Sequence, residues 1–178
     1  GDPPYKPMLD AGWCRVTGFE PQASALAELH RRQGPNERYL PYALGDGTMQ
    51  MLRVSVAPGM TSLLKPDAAT LDLFGVLKPL GAVTAEVPLQ TRRLDDIEEV
   101  VDLDFLKIDI QGGELAVFQA GHRKLARAVT IQTEVSFITL YERQPALGEI
   151  DIELRRQGFV PHCFAAVKQW PIAPCVIN

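Results

Sequence analysis

The sequence predicts an α/β protein with a mostly parallel sheet that is covered by helices on both faces, in the doubly wound arrangement. Two observations carry this prediction: apolar runs of strand length alternate with segments of helix length, and no repeat or linker interrupts the 178 residues. Strands that alternate with helices are joined by crossover connections, which are right-handed almost without exception. We therefore expect a single domain over residues 1–178.

The first elements are expected to be a strand, a turn and a helix. Residues 14–21 (CRVTGFEP) have a β-branched centre and a turn at Gly18, so they predict a short strand. Residues 21–35 predict a helix, because Pro21 suits the first helical turn and Gly34 suits a helix end. The two segments together predict one strand-turn-helix unit.

Further strands and a loop-rich region follow. Residues 38–44 (RYLPYAL) predict a strand, and the alternation of apolar and polar residues over 48–56 predicts a half-exposed one. Prolines and glycines punctuate residues 57–81, so we expect loops there, with a brief helix within 67–77. An extended segment is expected to resume over residues 82–96.

The second half of the chain shows the alternation most clearly. Residues 105–110 (FLKIDI) predict a buried strand, and residues 113–121 predict the helix after it. Residues 128–137 predict another strand, and residues 145–159 predict the clearest helix. We expect residues 159–178 to form two short final strands, or one strand and a tail.

The composition argues against several classes of function. A formal charge of -4 argues against a basic surface that binds the phosphate backbone of nucleic acid. Nucleic acid is therefore not expected as a partner. The longest apolar runs fall short of the roughly 20 residues that span a bilayer, so no membrane segment is expected. Cys14, Cys163 and Cys175 are odd in number and widely spaced. This spacing predicts reduced core thiols and a cytoplasmic setting rather than disulfides or a zinc site.

Ligands of open α/β sheets bind beyond the carboxyl ends of the strands. Polar residues at those ends are therefore the candidates for a site, and here they are Glu20, Asp46, Asp109, Gln111, Glu134 and Ser136. Glu20 lies where a nucleotide-binding protein places the carboxylate that accepts both ribose hydroxyls. An alternative stays open, because Glu20 also suits the positive end of the helix that begins at Pro21.

The run DFLKIDIQGGEL combines a strand with an unusual set of polar residues. Lys107 and Asp109 are two residues apart, so they face the same side of a strand. In a buried strand both charges need partners, and a structural ion pair between them is one interpretation. Gly112 and Gly113 suit a tight turn, and Glu114 suits the helix start that follows.

Glu134 is expected to end a strand beside that of Asp109, which brings two carboxylates to one crevice. Such a pair can accept a proton or hold an ammonium group, and one carboxylate can act as general base. Ser136 and Tyr141 follow closely and either contact a ligand or pack a loop. Carboxylates also bind metals, but the sequence has no further ligands at a spacing typical of a metal-binding motif. No metal ligand is therefore assigned.

Six segments together resemble one known family in order and spacing over nearly the whole chain. They are VTGFEP (16–21), YALGD (42–46), TSLL (61–64), FLKIDIQGGEL (105–115), TEVSFITLYE (133–142) and LRRQGF (154–159). The family is the FkbM family of S-adenosylmethionine-dependent methyltransferases. The most specific part of the resemblance is the run K-I-D-x-Q-G-x-E followed by E-V-S-F-x-x-L-Y.

The resemblance implies a Rossmann-like sheet with an antiparallel final strand, and methyl transfer from S-adenosylmethionine, usually to a hydroxyl oxygen. The acceptor implied is a hydroxyl of a carbohydrate or other small molecule. The catalytic residues implied are Asp109 and Glu134, and Glu134 would position the substrate or act as the general base. The cofactor-binding residues implied are Glu20, Ala43, Leu44, Asp46, Asp109 and Gln111.

One part of the family pattern is missing. Proteins of this fold carry an earlier strand that ends in a glycine-rich loop, and residues 1–12 look like the helix that follows this loop. We therefore expect a methyltransferase domain truncated at its N-terminus. The open sheet edge would favour a homo-oligomer.

Two other functions stay open. A noncatalytic binding or assembly module of Rossmann-like fold is consistent with the missing loop. A nicotinamide-dependent dehydrogenase is consistent with Glu20, because NAD also carries a ribose. The run K-I-D-x-Q-G-x-E counts against the dehydrogenase.

Overall fold

A computed structural model of the chain describes residues 2–172 and 174–175. The described chain divides into two compact units, Gly1–Leu44 and Gly45–Asn178, and each is described by itself. Both units mix helices and strands, so the α/β class predicted from the sequence is confirmed. The single domain over residues 1–178 stays a prediction.

The first unit contains two helices and three strands. They are α1 (Lys6–Asp10), β1 (Val16–Phe19), α2 (Ala23–Arg32), β2 (Glu37–Leu40) and β3 (Ala43–Leu44). β1 and β2 pair in parallel, and α2 connects them, so the predicted strand-turn-helix unit is confirmed. The strand predicted over residues 38–44 is split, because Pro41 has no N–H to donate to a sheet.

The second unit begins with an antiparallel pair of strands. Its first elements are β4 (Met49–Ser55), α3 (Ala68–Leu73) and β5 (Val83–Arg92). β4 and β5 pair antiparallel from Met49 with Gln90 to Ser55 with Val83, and the register shifts once between Val54 and Ser55. The loop-rich region and its brief helix lie between the two strands, as predicted.

The rest of the second unit returns to parallel pairing. Its elements are β6 (Phe105–Ile108), α4 (Glu114–Ala120), α5 (His122–Leu125), β7 (Thr130–Thr133) and α6 (Leu147–Arg156). β6 and β7 run parallel, and α4 and α5 form the connection between them. Across residues 2–172, no helix is long and apolar enough to cross a membrane.

The strands form small sheets, and this differs in part from the sequence prediction. The two parallel pairs agree with it, whereas a single doubly wound sheet stays a prediction. No strand occurs over residues 159–172, so the final strands predicted there are wrong for the described part of the segment. Residues 160–170 are all exposed, and a strand needs neighbouring backbone to pair with. Residues 173 and 176–178 lie outside the described residues.

An apolar core of the second unit lies around α4. Val117, Phe118 and Leu125 are fully buried, together with Leu94 and Ile97. α4 packs against α6, and it also contacts the short 3₁₀ helix Leu94–Asp96. This core holds the helix that directly follows the loop between β6 and α4.

Two sequence predictions about burial are wrong. Lys107 and Asp109 are exposed, so no buried ion pair exists on β6. Only Leu106 and Ile108 of this strand are buried, and residues two apart face the same side, so one face of the strand is packed and the other is open. The expectation of core thiols also fails for Cys163, which is exposed along with Cys175, although all three cysteines are free.

Glu153 of α6 is a buried carboxylate whose pKa predicts a pH-dependent stability. Arg156 donates to it at 2.9 Å and Gln157 at 2.7 Å, and the bond from Arg156 is the largest cause that lowers its pKa. A carboxyl group whose pKa is lowered by folding stabilises the protein at neutral pH, and this contribution is lost as pH falls through the lowered pKa.

Replacing Glu153 by alanine is expected to reduce the free energy of unfolding by about 1–3 kcal/mol at neutral pH, because charged hydrogen bonds are lost. Urea denaturation of both proteins should show this difference shrinking as pH falls to about 3. Asp151→Ala is the control, because its pair with Arg155 on the same helix is more exposed and surface pairs contribute little. An equal loss of stability at both pH values would contradict the prediction.

Candidate active site

Two carboxylates at the ends of neighbouring strands form the centre of the candidate site. The parallel register pairs Ile108, the last residue of β6, with Thr133, the last residue of β7. The N–H of Glu134 then donates to the carbonyl oxygen of Ile108 at 3.2 Å, which extends the pairing by one step. Asp109 and Glu134 therefore leave the two strands side by side, as expected from the sequence.

Gln111 joins the two carboxylates. Its side-chain Nε2 donates to Asp109 Oδ1 at 2.7 Å and to Glu134 Oε2 at 2.9 Å. A carboxamide nitrogen carries two hydrogens, so this bridge uses both of them. Only the nitrogen end of the amide can stand between two acceptors, which fixes the orientation of the side chain. The three residues form one group, here called the Asp109–Gln111–Glu134 cluster.

The two carboxyl groups differ in exposure, and Glu134 is the more enclosed. Its side chain is 34% exposed, whereas Asp109 lies open to solvent. Burial raises the pKa of Glu134, hydrogen bonding and repulsion from Asp109 raise it further, and Lys168 opposes the rise. Two carboxylates that lie close together resist being ionised at the same time. Glu134 is therefore the member of the cluster that is better suited to accept a proton.

Two buried side chains hold the backbone loop that carries Gln111. The Glu114 carboxylate accepts the N–H of Ile110 at 2.8 Å and that of Gly112 at 2.9 Å. Ser62 Oγ donates to the carbonyl oxygen of Gln111 at 2.6 Å. Sequence reasoning placed Glu114 only at a helix start and missed Ser62, because a bond between residues 62 and 111 leaves no local pattern.

Gly112 occupies the point in this loop where no side chain fits. Its φ is +98°, and a Cβ atom there would lie 2.8 Å from Leu64 Cδ1 and 3.1 Å from Gln144 Cγ. The predicted tight turn is therefore confirmed at Gly112. The other residue with a positive φ in the turn is Gln111, at 56°, and not Gly113, whose φ is -87°.

The segment that follows α6 reaches the cluster through a lysine. Lys168 Nζ lies 3.4 Å from Glu134 Oε1, and the lysine side chain is 73% exposed. The same segment contacts the residues after β7 a second time, because the rings of Phe137 and Phe164 lie 5.9 Å apart at an angle of 47°. Sequence reasoning missed Lys168, since the stretch around it has no periodicity that would place it.

Ser136 and Tyr141 pack the loop after β7, which was one of the two alternatives for them. Tyr141 is buried, and its hydroxyl donates to the carbonyl oxygen of Met60 at 3.0 Å. Burial raises the pKa of Tyr141 to about 12. Ser136 Oγ accepts a hydrogen bond from Gln144 Nε2 at 3.0 Å. Both side chains thus support the segment that carries Glu134.

Three of the predicted cofactor residues belong to the first unit. Glu20 is half-buried, and its Oε1 accepts the N–H of Gln22 at 2.8 Å, at the start of α2. This bond agrees with the helix-start interpretation of Glu20. Leu44 is buried and Ala43 is half-buried, both on the short strand β3. The role of all three in cofactor binding stays a prediction.

Asp46, the fourth predicted cofactor residue outside the cluster, shapes a turn before β4. Its Oδ1 accepts the N–H of Thr48 at 2.9 Å and the hydroxyl of Thr48 at 2.7 Å. These bonds, with weaker ones from Gln50 and Thr91, lower the pKa of Asp46. Its carboxylate is therefore ionised at neutral pH and engaged in local structure, and its role towards adenine stays a prediction.

The arrangement as a whole suits proton transfer and the binding of a cation. Within the described ranges, no group of three or more His, Cys, Asp or Glu side chains is placed to hold a metal ion. The cluster presents one exposed carboxylate, one enclosed carboxyl with a raised pKa, and an amide between them. These groups can accept a proton from a hydroxyl or hold a positively charged ligand.

Comparison with known proteins identifies a family. The family model described as Methyltransferase FkbM domain matches residues 4–161 of the chain. No curated protein and no solved structure matches the chain. The matched range contains the Asp109–Gln111–Glu134 cluster together with Ser62 and Glu114, and it ends before Lys168.

Proposed function

Because the chain belongs to the FkbM methyltransferase family, we propose that it transfers the methyl group of S-adenosylmethionine to a hydroxyl oxygen of a carbohydrate or other small molecule. The observation that carries this proposal is the half-buried Glu134 carboxyl, joined through Gln111 to Asp109. A hydroxyl is a poor nucleophile until its proton is removed, and a carboxylate with a raised pKa suits that task.

The residues of the cluster have separate parts in this proposal. Glu134 accepts the hydroxyl proton, because its pKa lies above the usual range for a glutamate. Gln111 keeps the Glu134 carboxyl oriented, and the exposed Asp109 borders the place where donor and acceptor meet. Orientation of this kind contributes strongly to rate, since the attacking oxygen must lie in line with the bond that breaks.

The chemistry of the cluster fits the methyl donor. S-adenosylmethionine, when bound, supplies a methyl group on a positively charged sulfonium, and it also carries an ammonium group. Asp109 offers an exposed carboxylate, with Gln111 bonded to its Oδ1, and would hold the ammonium group. Glu20, Ala43, Leu44 and Asp46 remain the residues that we propose for the ribose and adenine parts.

Binding and turnover measurements test the proposal together. Calorimetry should show binding of S-adenosylhomocysteine and no binding of NADH. Transfer of a radiolabelled methyl group should then be measured over a panel of sugars and other hydroxylated small molecules. Binding of NADH would favour a dehydrogenase instead. Binding of neither ligand would favour a noncatalytic module, and either result would overturn the proposal.

Replacing Glu20 by alanine is expected to weaken S-adenosylhomocysteine binding by about tenfold or more, because hydrogen bonds to a charged group are lost. Calorimetry measures this change. Glu28→Ala on α2 is the matched control, because its carboxylate pairs only with exposed arginines of its own helix in the described contacts. Equal affinities in the wild type and Glu20→Ala would show that Glu20 does not bind the cofactor and only bonds to the N-terminal end of α2.

A further inference from the structure

The backbone at Gln111 adopts a conformation that residues with side chains rarely take. Its φ of 56° lies in the left-handed region, which mainly suits glycine. Such a residue keeps this conformation only where its surroundings hold it there. The side-chain bridge between Asp109 and Glu134 depends on this backbone, because the bridge requires the amide to point between two fixed strand ends.

Glu114 holds the loop on both sides of Gln111. One carboxylate oxygen accepts the N–H of the preceding residue, Ile110, and the other accepts the N–H of the following residue, Gly112. Glu114 is 5% exposed and is the first residue of α4, whose position is set by the buried core. The two N–H groups that flank Gln111 are thus tied to one immobile carboxylate.

Ser62 holds the third backbone group of the loop. It is 2% exposed, and its Oγ accepts the N–H of Leu64 at 3.0 Å. The single hydroxyl hydrogen is then directed to the carbonyl oxygen of Gln111, at 2.6 Å. The bonds that Ser62 and Glu114 make to this loop go to its backbone, and within the described residues neither side chain is hydrogen-bonded to a carboxylate of the cluster.

We propose that Ser62 and Glu114 are positioning residues, which hold the Gln111 amide between Asp109 and Glu134 and thereby set the hydrogen bonding of the Glu134 carboxyl. Any consequence for methyl transfer rests on the proposed function. The hydrogen bonding of Glu134 does not, because it is a property of the protein without ligands.

The direction in which the titration of Glu134 shifts follows from the loss of the hydrogen bond that the Gln111 amide donates. The Gln111 N–H that bonds to Glu134 favours the ionised form of that carboxyl, since a hydrogen bond to the charged form stabilises it. Asp109 and Lys168 act on Glu134, and Tyr141 lies close enough for Glu134 to raise its pKa. Glu114 is a further carboxyl beside the cluster, since Asp109 raises its pKa. None of these four side chains is hydrogen-bonded to Ser62 within the described residues. Loss of the Gln111 bridge is therefore expected to move the titration of Glu134 to higher pH.

The test is a pH titration of the protein without ligands. Carboxyl carbons of glutamate and aspartate are labelled with ¹³C, and their chemical shifts are followed by NMR in the wild type, Ser62→Ala, Gln111→Ala and the double variant. We expect Glu134 to titrate at higher pH in each single variant. The double variant is expected to match Gln111→Ala, because Ser62 acts through Gln111.

Two further variants separate positioning from general stability. Ser55 is a matched control: it is buried, and its Oγ donates to the carbonyl oxygen of Met60 at 3.0 Å. Ser55→Ala should cost similar stability and leave the titration of Glu134 unchanged. Glu114→Asp keeps a carboxylate at this position, where it interacts with Asp109, and shortens the side chain by one methylene group. The shorter side chain cannot accept both N–H groups, so the variant should shift the titration in the same direction as Ser62→Ala.

Two results would overturn the proposal. An unchanged Glu134 titration in Ser62→Ala and in Glu114→Asp would show that neither residue acts on the Glu134 carboxyl. A shift caused by Ser62→Ala that persists in full when Gln111 is already alanine would show that Ser62 does not act through Gln111. Failure of methyl transfer alone would count against the proposed function and leave the titration result intact.

Discussion

Replacing Glu134 by glutamine is expected to lower kcat for methyl transfer by about 10²–10⁴-fold, the usual contribution of a general base. The glutamine has nearly the same shape as the glutamate, so the variant should fold and keep its affinity for S-adenosylhomocysteine. What it loses is the ability to take a proton from the acceptor hydroxyl. Initial rates with labelled methyl donor and calorimetry with S-adenosylhomocysteine measure the two properties separately.

The pH dependence of the reaction gives the same experiment a second measurement. In the wild type, kcat should rise with pH through the raised pKa of Glu134, because only the ionised carboxylate can accept the proton. In Glu134→Gln this rise should disappear. Glu142→Gln is the matched control, since this carboxylate is exposed and pairs with Lys65. Normal turnover in Glu134→Gln, or the same loss of kcat in Glu142→Gln, would show that Glu134 is not the general base.

Replacing Phe118 by alanine is expected to reduce the free energy of unfolding by about 3–5 kcal/mol. Phe118 is fully buried in the core around α4, so the substitution removes apolar contacts and leaves a cavity between packed helices. Such a loss is a large fraction of the stability of an ordinary domain, which is about 5–15 kcal/mol. Urea denaturation followed by circular dichroism measures it.

Phe137→Ala is the matched control for this prediction, because the same side chain is removed from an exposed position. Phe137 is 64% exposed and contacts only the ring of Phe164 among the aromatic pairs described. An exposed aromatic pair contributes about 0.5–1.5 kcal/mol, so the control should lose clearly less stability. Equal losses in the two variants would show that Phe118 of α4 does not lie in a tightly packed core.

Local patterns predicted several elements well, and α6 shows why. Leu147, Ile150 and Leu154 recur at helical spacing, and Gly158 has the positive φ of a helix end. Spacing of this kind depends only on neighbours along the chain. The buried strand predicted over residues 105–110 was right in position and wrong in burial, because a short apolar run does not reveal how many faces other elements cover.

The candidate site was predictable in part for the same reason. Asp109 and Glu134 each follow a strand, so the sequence indicated that they meet if the two strands are neighbours. Their bridge through Gln111 depends on the left-handed backbone conformation of this residue. The run Q-G-G predicts a tight turn, but it does not indicate that Gln111 takes this conformation. Ser62 and Lys168 contact this site from distant parts of the sequence, at separations that no local pattern encodes.

The α/β class, most helix and strand positions, the family, and the candidate carboxylates Asp109 and Glu134 could be predicted without a structure. These depend on residue type and on spacing over a few positions. Three features became known from the folded chain: Lys107 is exposed, Glu114 holds the backbone on both sides of Gln111, and Gln111 links the carboxylates. The physical reason is that burial and long-range hydrogen bonds depend on which surfaces meet in space, whereas periodicity records only which side of one element a residue faces.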